Sequence, residues 1–318
     1  MLASSDDDKR EMLRQIRRIQ VRTDRMVTDV MAGGYSSVFR GSGIEFDEVR
    51  EFADGDDIRS VDWNVTARTG RPHVKKFMEE RELSVLMLLD VSPSADFGAD
   101  PKVAKVATPA TASNERLRAR SVRETAALVS GCIAFAAARN NDKAGMITFT
   151  DRVERYVPAK KGRRHVLRLI REAWAQERIG NGTDLAAVLQ FASRIQRKRA
   201  VVFLISDFFA AVPERELRLL SRRHDVIAVR IRDAHSETLP RAGLLRLRDP
   251  ETGRAVWVDT SSSRVQQALV QRVKQDRTAF EDACRRAGID HFDVATRGSV
   301  ADPIVRFFRM RERRGGHR

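Results

Sequence analysis

The sequence predicts an α/β protein whose main domain has a doubly wound, mostly parallel sheet with helices on both faces. Short apolar segments alternate with amphipathic helical segments along most of the chain, which is typical of a parallel sheet. The segments at 83–89 and 200–205 are apolar almost throughout, as expected for strands that are covered on both faces. Ligands of such sheets bind beyond the carboxyl ends of the strands, so candidate chemistry is sought there.

The individual elements follow from the same patterns. The strand pattern of short apolar runs recurs at 83–89, 144–149, 200–205, 226–231 and 289–294. The helical pattern occupies the segments between and after them, at 121–139, 163–175, 184–197, 214–222, 263–287 and 299–311. Residues 244–258 predict a hairpin, because Asp249, Pro250 and Gly253 are turn formers between two apolar runs.

The composition changes along the chain indicate its organisation. The expected parts are an N-terminal charged helix at 1–34, a small β-rich subdomain at 35–82, the main domain at 83–310 and a loose basic tail at 311–318. A segment rich in Ala, Thr and Pro at 96–117 interrupts the main domain and predicts a loop insert.

The overall composition bounds the function. The formal net charge is +15 and the isoelectric point about 10.7, so either an anionic partner or simply an arginine-rich solvated surface would account for the charge. The two cysteines, Cys132 and Cys284, lie in apolar surroundings, which favours free thiols in an intracellular protein. The chain has neither a signal-peptide pattern nor an apolar run near the roughly 20 residues of a membrane helix. These observations predict a cytoplasmic protein.

Oxygen-bearing side chains follow the ends of two predicted strands. Asp90, Ser92 and Ser94 come directly after the strand at 83–89, and Asp207 follows the strand at 200–205. Thr183 lies in a glycine-containing loop before a helix. Carboxylate and hydroxyl oxygens are the ligands that Mg²⁺ prefers in proteins, and Mg²⁺ keeps some of its coordinated waters. The pattern therefore predicts a Mg²⁺ site with a coordination position open to an outside ligand, and Mn²⁺ or Ca²⁺ would be the substitutes.

This pattern resembles the metal-ion-dependent adhesion site of von Willebrand factor A domains, which reads Asp-x-Ser-x-Ser, then Thr, then Asp. The resemblance implies a von Willebrand factor A-like (Rossmann-like) fold, and it implies that Asp90, Ser92, Ser94, Thr183 and Asp207 hold the metal. Purely structural roles are the alternative: Thr183 would cap a helix, and Ser92 and Ser94 would form a turn.

A second resemblance rests on motifs that precede the main domain. They are GIEF at 43–46, VREF at 49–52, GDDIR at 55–59, VDWN at 61–64, ARTG at 67–70, VKKF at 74–77 and EERE at 79–82. These motifs are similar to those of a bacterial family catalogued as domain of unknown function 58. The chain departs from the family pattern at Ala95 and in the insert, neither of which touches the five candidate ligands.

The family resemblance implies a protein partner. Its members are commonly encoded beside MoxR-type AAA+ ATPases, so it implies an adaptor or co-chaperone of such an ATPase, with membrane-associated von Willebrand factor A proteins as further partners. For the motif cluster itself, the simplest interpretation is structural: Arg59 would pair with a carboxylate, and Trp63 would anchor the subdomain. A partner-contact surface is the alternative.

Other function classes receive less support from the residues. The chain lacks the Gly-x-Ser-x-Gly hydrolase motif and the phosphate-binding loop of nucleotide-binding proteins. A Mg²⁺-dependent phosphoester hydrolase, with Asp90 and Asp207 holding a catalytic metal, is the enzymatic alternative. A basic nucleic-acid-binding protein is the other alternative, although the chain has no reading motif and no aromatic stacking platform, so specific nucleic acid is not expected.

Overall fold

The computed structural model describes residues 43–53, 56–80, 83–96, 120–175 and 179–315. The predicted N-terminal helix, and the loop insert beyond Asp96, lie outside these residues. By their internal contacts the described residues divide into two compact units, a smaller one that ends at Leu83 and a larger one that begins at Ser84. Each unit is described separately below.

The smaller unit is built on an antiparallel strand pair. Its elements are β1 (Gly43–Glu51), a short 3₁₀ helix (Ile58–Ser60), α1 (Trp63–Thr69) and β2 (His73–Glu80), and β1 pairs with β2. Asp62 caps α1, because its side chain accepts hydrogen bonds from the backbone N–H groups of Asn64 and Val65. The helix ends at Gly70, whose φ of 73° is a left-handed conformation that glycine adopts without strain.

The predicted roles of the motif cluster are partly wrong. Arg50, not Arg59, forms the ion pair with Asp56, at 2.6 Å, and Asp57 instead accepts a hydrogen bond from the backbone N–H of Arg59. Trp63 is not an anchor, because it is 68% exposed. Asp57 and Asp62 of this cluster thus cap the N-termini of helices, which short polar side chains do well.

The larger unit contains a six-stranded sheet of order β10-β7-β6-β3-β4-β5. Its strands are β3 (Ser84–Asp90), β4 (Lys143–Phe149), β5 (Val153–Lys160), β6 (Val201–Ser206), β7 (Asp225–Arg232) and β10 (Asp290–Ala295). All neighbouring pairs are parallel except β4 and β5. The helices are α2 (Val122–Arg139), α3 (Arg163–Ala175), α4 (Leu185–Ile195), α5 (Glu214–Ser221), α6 (Ala234–Glu237), α7 (Ser263–Ala287) and α8 (Ala301–Gly315).

The edge strand β5 was missed by the sequence patterns. It reads VERYVPAK, and only Val157 in it is fully buried. An edge strand has one free side, so it tolerates charged residues and Pro158, and these obscure the alternation by which strands are recognised.

Helices cover both faces of the sheet. Buried residues of α4, α5 and α7 form one apolar cluster with alternate residues of the central strands, such as Leu86 and Leu88. The intervening residues of β3, such as Met87, point to the opposite face. There α2 packs on α3 and β3, and Phe307 of α8 stacks on Phe292 of β10. The sheet is therefore buried on both sides, as its apolar strands predict.

Two further segments complete this unit. Strands β8 (Leu244–Arg248) and β9 (Ala255–Asp259) form the predicted hairpin as a separate two-stranded sheet. The expected loose tail differs from the structure, in which α8 continues to Gly315. Arg311 accounts for part of this difference, because its guanidinium contacts Asp225 at 2.9 Å and Asp290 at 3.0 Å. Among the described residues, no helix is long and apolar enough to span a membrane.

The central strands should dominate the stability of the larger unit. Replacing fully buried Leu88 with Ala should lower the free energy of unfolding by about 2–5 kcal/mol, because the lost contacts leave a cavity. The matched control is Leu219→Ala, at a position that is 49% exposed, and it should cost less than about 0.5 kcal/mol. Urea unfolding checks both values. Equal losses for the two variants would contradict this account of the core.

Candidate metal centre

The sheet topology brings two of the predicted strand ends together. In the sheet, β4 and β5 lie on one side of β3, whereas β6, β7 and β10 lie on its other side. The sheet order therefore reverses between β3 and β6, and doubly wound sheets bind ligands at such a reversal. Asp90 ends β3 and Asp207 follows the last residue of β6, so both carboxylates lie at this edge.

Both carboxylate oxygens of Asp90 accept hydrogen bonds. Its side chain is only 3% exposed, at the end of a strand of otherwise apolar residues. The Ser206 hydroxyl donates to Oδ2 at 2.6 Å, and the backbone N–H of Ser92 donates to Oδ1 at 2.9 Å. Ser206 in turn accepts a hydrogen bond from the backbone N–H of Phe208 at 3.0 Å, which ties the β6 loop to the β3 loop.

The two serines after Asp90 present their hydroxyls to each other. Ser92 and Ser94 are both buried, and their Oγ atoms lie 3.0 Å apart. The short 3₁₀ helix Pro93–Asp96 produces this approach, with a backbone hydrogen bond from Ala95 to Ser92. Adjacent oxygens of an octahedral Mg²⁺ shell are about 2.9 Å apart, given metal–oxygen distances of roughly 2.0–2.1 Å. The spacing of the two hydroxyls thus suits neighbouring positions in such a shell.

Asp207 carries an unsatisfied oxygen. The residue is 8% exposed; its Oδ1 accepts a hydrogen bond from the backbone N–H of Phe209 at 3.1 Å, whereas the buried Oδ2 has no hydrogen-bond partner. Phe208 has a left-handed φ of 57°, so the chain bends sharply directly after Asp207. A buried carboxylate oxygen without a donor is costly, and an oxygen-binding cation would satisfy it.

The electrostatics of the two aspartates also favour a bound cation. Burial and then the negative charge of Asp207 raise the pKa of Asp90 to about 7. Burial also raises the pKa of Asp207, against the lowering effects of the Ser94 hydroxyl and the Phe209 amide, and the charge of Glu251 raises it further. Two desolvated carboxylates thus repel each other at this edge, and a divalent cation would neutralise both.

Thr183 contacts a residue that the sequence did not indicate. It is half-buried in the loop before α4, and its hydroxyl donates to Glu251 Oε1 at 2.8 Å. The helix-cap alternative for Thr183 is wrong, because Asp184 is the N-cap of α4 and accepts a hydrogen bond from Ala187 N–H. Its hydroxyl is therefore not used by the helix.

The residues at this edge suit a hard divalent cation. They supply two carboxylates and a pair of facing hydroxyls, with the Thr183 hydroxyl bonded to a third carboxylate whose charge acts on Asp207. Within the described part of the chain, no three His, Cys, Asp or Glu side chains form a metal-binding cluster by themselves. Mixed carboxylate and hydroxyl oxygens are suitable ligands for Mg²⁺, and the unpartnered Oδ2 of Asp207 is the clearest gap that a cation would fill.

This fold and strand-end pattern define a von Willebrand factor A-like α/β domain with a small N-terminal β region, as the sequence predicted. A family model described as "Protein of unknown function DUF58" matches residues 48–279, and the chain belongs to that family. The family resemblance drawn from the upstream motifs is therefore confirmed.

Individual relatives add no established activity. An uncharacterized protein of Mycobacterium tuberculosis is 28% identical over 293 residues, which cover 91% of this chain and 82% of the relative. Among solved structures, an aerotolerance-related membrane protein from Bacteroides fragilis is 14% identical with a TM-score of 0.45, covering 73% of this chain and 100% of that one. The SpRpn10 VWA domain is 12% identical with a TM-score of 0.35, covering 70% and 94%.

The sequence patterns did not identify two residues at this edge. Ser206 directly precedes Asp207, and a polar residue ending an apolar strand was the signal that could have identified it. Glu251 gave no such signal, because it lies 68 positions from Thr183 in an ordinary polar turn.

The raised pKa of Asp90 predicts a pH dependence in the metal-free protein. Between the ordinary Asp pKa of 3.8 and about 7, the folded state holds a proton that the unfolded state has released, so stability falls as pH rises through this range. Asp90→Asn carries no charge to bury. With EDTA, it should therefore melt several degrees above wild type at pH 8, and this difference should shrink toward pH 4.

Thermal unfolding at several pH values checks this expectation. The control is Asp302→Asn, which alters an exposed aspartate in the first turn of α8 and should not raise the melting temperature at pH 8, because its negative charge is favourable there. If Asp90→Asn is less stable than wild type at pH 8 in EDTA, the ionised side chain of Asp90 does not destabilise the folded state.

Proposed function

We propose that this chain is a non-enzymatic protein-interaction module that binds an acidic residue of a partner through a divalent cation, Mg²⁺ in the cell. The observation that carries the proposal is the buried carboxylate of Asp207, with one oxygen lacking a hydrogen bond, beside Asp90 at the switch point of the sheet. Asp90, Ser92, Ser94, Thr183 and Asp207 are the proposed ligands. A cation held by these five oxygens would have one position left in an octahedral shell, and that position would accept a carboxylate from outside.

The partner that we propose is a MoxR-type AAA+ ATPase, for which the chain would be a cytoplasmic adaptor or co-chaperone. This part rests on the family resemblance, since the matching family is described only as of unknown function. The adhesion mechanism requires an acidic residue on the partner surface, which gives the proposal a chemical criterion.

Three of the described histidines lie away from the candidate metal centre, whereas His235 follows the carboxyl end of β7, at the same edge of the sheet as Asp207. His165 contacts the carbonyl of Ala144 near the start of β4, His224 directly precedes β7, and His291 is the second residue of β10. These three lie at the amino ends of the strands, across the sheet from the candidate metal centre. They are therefore out of reach as general acids or bases for a reaction at the cation.

Many arginines of the larger unit are paired with carboxylates. Arg230 contacts Asp293 at 2.7 Å, and Arg277 contacts Glu281 at 2.8 Å. Ion pairs of this kind remove arginines from the phosphate contacts on which non-specific nucleic-acid binding depends. The sequence has a net charge of +15, so basic residues remain after all such pairing, and the ion pairs do not decide between a protein partner and nucleic acid.

The first test measures whether the protein binds the cation. Mg²⁺ at one hundred times its Kd should stabilise the wild-type protein by about 2.7 kcal/mol, because it binds only the folded state. Asp207→Ala should abolish this stabilisation, whereas Asp302→Ala should retain it. Thermal melts with MgCl₂ and with EDTA supply the measurement. Equal Mg²⁺ responses in wild type and Asp207→Ala would remove the metal centre from the proposal.

The second test identifies the partner. Tagged wild-type protein should recover an AAA+ ATPase from a native lysate in Mg²⁺, and EDTA, Asp90→Ala and Asp207→Ala should each prevent recovery. Asp302→Ala is the matched control and should recover it as wild type does. Mass spectrometry of the recovered proteins provides the result. Recovery of the same proteins under every condition would show that another surface, such as the basic one, binds them.

A further inference from the structure

Five cationic side chains lie together at the amino ends of two neighbouring strands. β6 and β7 are parallel and adjacent, and the backbone N–H of Asp225 donates to the carbonyl of Ala200 at 2.9 Å. The loops that lead into these two strands therefore lie side by side. Their exposed cations form a surface that is called the basic edge below, and its members are Arg197, Lys198, Arg199, Arg222 and Arg223.

No carboxylate pairs with the basic edge in the part of the chain that the structure describes. The acidic residue that follows the second loop, Asp225, is contacted instead by Arg311 of α8 at 2.9 Å. Burial and then the positive charge of Arg223 lower the pKa of His224, which lies between Arg223 and β7, so the electric field around these loops is positive. The basic edge thus differs from the paired arginines of the same unit, such as Arg230.

Hydrogen bonds to the backbone hold both loops in place. The side-chain amide of Gln196 donates to the carbonyl of Lys198 at 2.9 Å. In the second loop, the backbone N–H groups of Arg223 and His224 donate to the carbonyl of Leu220 at 3.1 and 3.0 Å. None of these bonds uses a cationic side chain. The charges are therefore available to a partner, and they can be removed without loss of the contacts that fix the loops.

The composition of the basic edge favours the phosphates of a duplex over other anions. Four of its five cations are arginines, whose guanidinium groups form paired hydrogen bonds with phosphate oxygens. Neither loop, as the structure describes it, contains an exposed aromatic or large apolar side chain. Single-stranded nucleic acid is held by bases that stack on aromatic rings, so it would find no platform here.

A lipid surface also fits this composition less well. Lasting contact with a bilayer depends on buried apolar area in addition to charge, and the neighbouring exposed apolar residue, Leu219 on α5, offers a single side chain. Duplex nucleic acid requires neither rings nor apolar area, because its bases are already stacked. It also carries a dense row of phosphates, with one negative charge per roughly 1.7 Å of helix axis.

We infer that the basic edge binds the phosphate backbone of double-stranded nucleic acid without regard to its base sequence. The basic edge and the candidate metal centre lie at opposite ends of the same strands. β6 spans Val201–Ser206, about 20 Å at roughly 3.3 Å per residue, and Asp207 follows it. A bound duplex would therefore leave the carboxyl ends of the strands open to a protein partner. The inference does not rest on the proposed metal centre.

The test measures binding of the full chain to short, fluorescently labelled DNA duplexes by fluorescence anisotropy, in EDTA so that divalent cations take no part. Wild type should bind two duplexes of unrelated sequence with the same Kd. If all five cations contact phosphates, log Kd should rise by about 4.5 for each tenfold increase in NaCl, because each contact contributes about 0.9.

The triple variant Arg197→Gln, Lys198→Gln and Arg199→Gln removes three of these contacts. It should weaken binding about tenfold or more at low salt and reduce the salt slope by about 2.7. The matched control removes three exposed arginines in and beside the β8–β9 hairpin, by Arg241→Gln, Arg246→Gln and Arg254→Gln. Its Kd and slope should stay close to those of wild type. Circular dichroism melts verify that both variants are folded.

Each result decides for or against the inference. A loss that is confined to the basic-edge variant supports it. If wild type does not bind the duplexes, or if both triple variants lose affinity equally, the inference is overturned, and in the second case the overall charge accounts for the binding. Phosphatidylglycerol vesicles and polyglutamate then compete with the duplex at equal concentrations of negative charge. If either one displaces the duplex, the basic edge belongs to a lipid surface or to an acidic protein segment, and the inference is again overturned.

Discussion

The larger unit is organised around the burial of two carboxylates at the ends of adjacent parallel strands. Asp90 and Asp207 lie where the strand order reverses. Burial raises the pKa of both, and the negative charge of Asp207 raises the pKa of Asp90 further. An apolar core covered on both faces by helices holds the strands rigidly, so the two side chains cannot separate to relieve the repulsion. The hydroxyls of Ser206 and Ser92–Ser94, together with the tight bend after Asp207, are best understood as adaptations to this pair.

The surroundings of the pair add negative charge rather than cancel it. The charge of Glu251 raises the pKa of Asp207 further, whereas Arg230 is paired with Asp293. A chain with an overall excess of positive charge thus has acidic oxygens at one edge of its main sheet. Oriented oxygen ligands of this kind define the chemistry of hard-cation sites, and they give the proposed adhesion mechanism its physical basis.

The hairpin shows how a surface element can modify a site that belongs to the sheet. Strands β8 and β9 form their own two-stranded sheet, so the sheet core does not require them, yet their turn reaches the loop before α4. Elements outside the core sheet can move at a lower free-energy cost than core strands, because fewer buried contacts are broken.

The sequence by itself determined the alternation of strands and helices and the doubly wound fold, because both depend on local periodicity. It also determined that Asp90, Ser92, Ser94 and Asp207 lie at strand ends, because parallel strands end at one edge of the sheet. It missed β5, whose exposed side admits charged residues and proline, and it misplaced Trp63 and the start of the basic tail. Only the tertiary structure decided that Ser206 bonds to Asp90, that Asp184 rather than Thr183 caps α4, and that Glu251 reaches Thr183. These contacts join residues whose separation along the chain carries no periodic signal, so they arise from packing and cannot be read from local pattern.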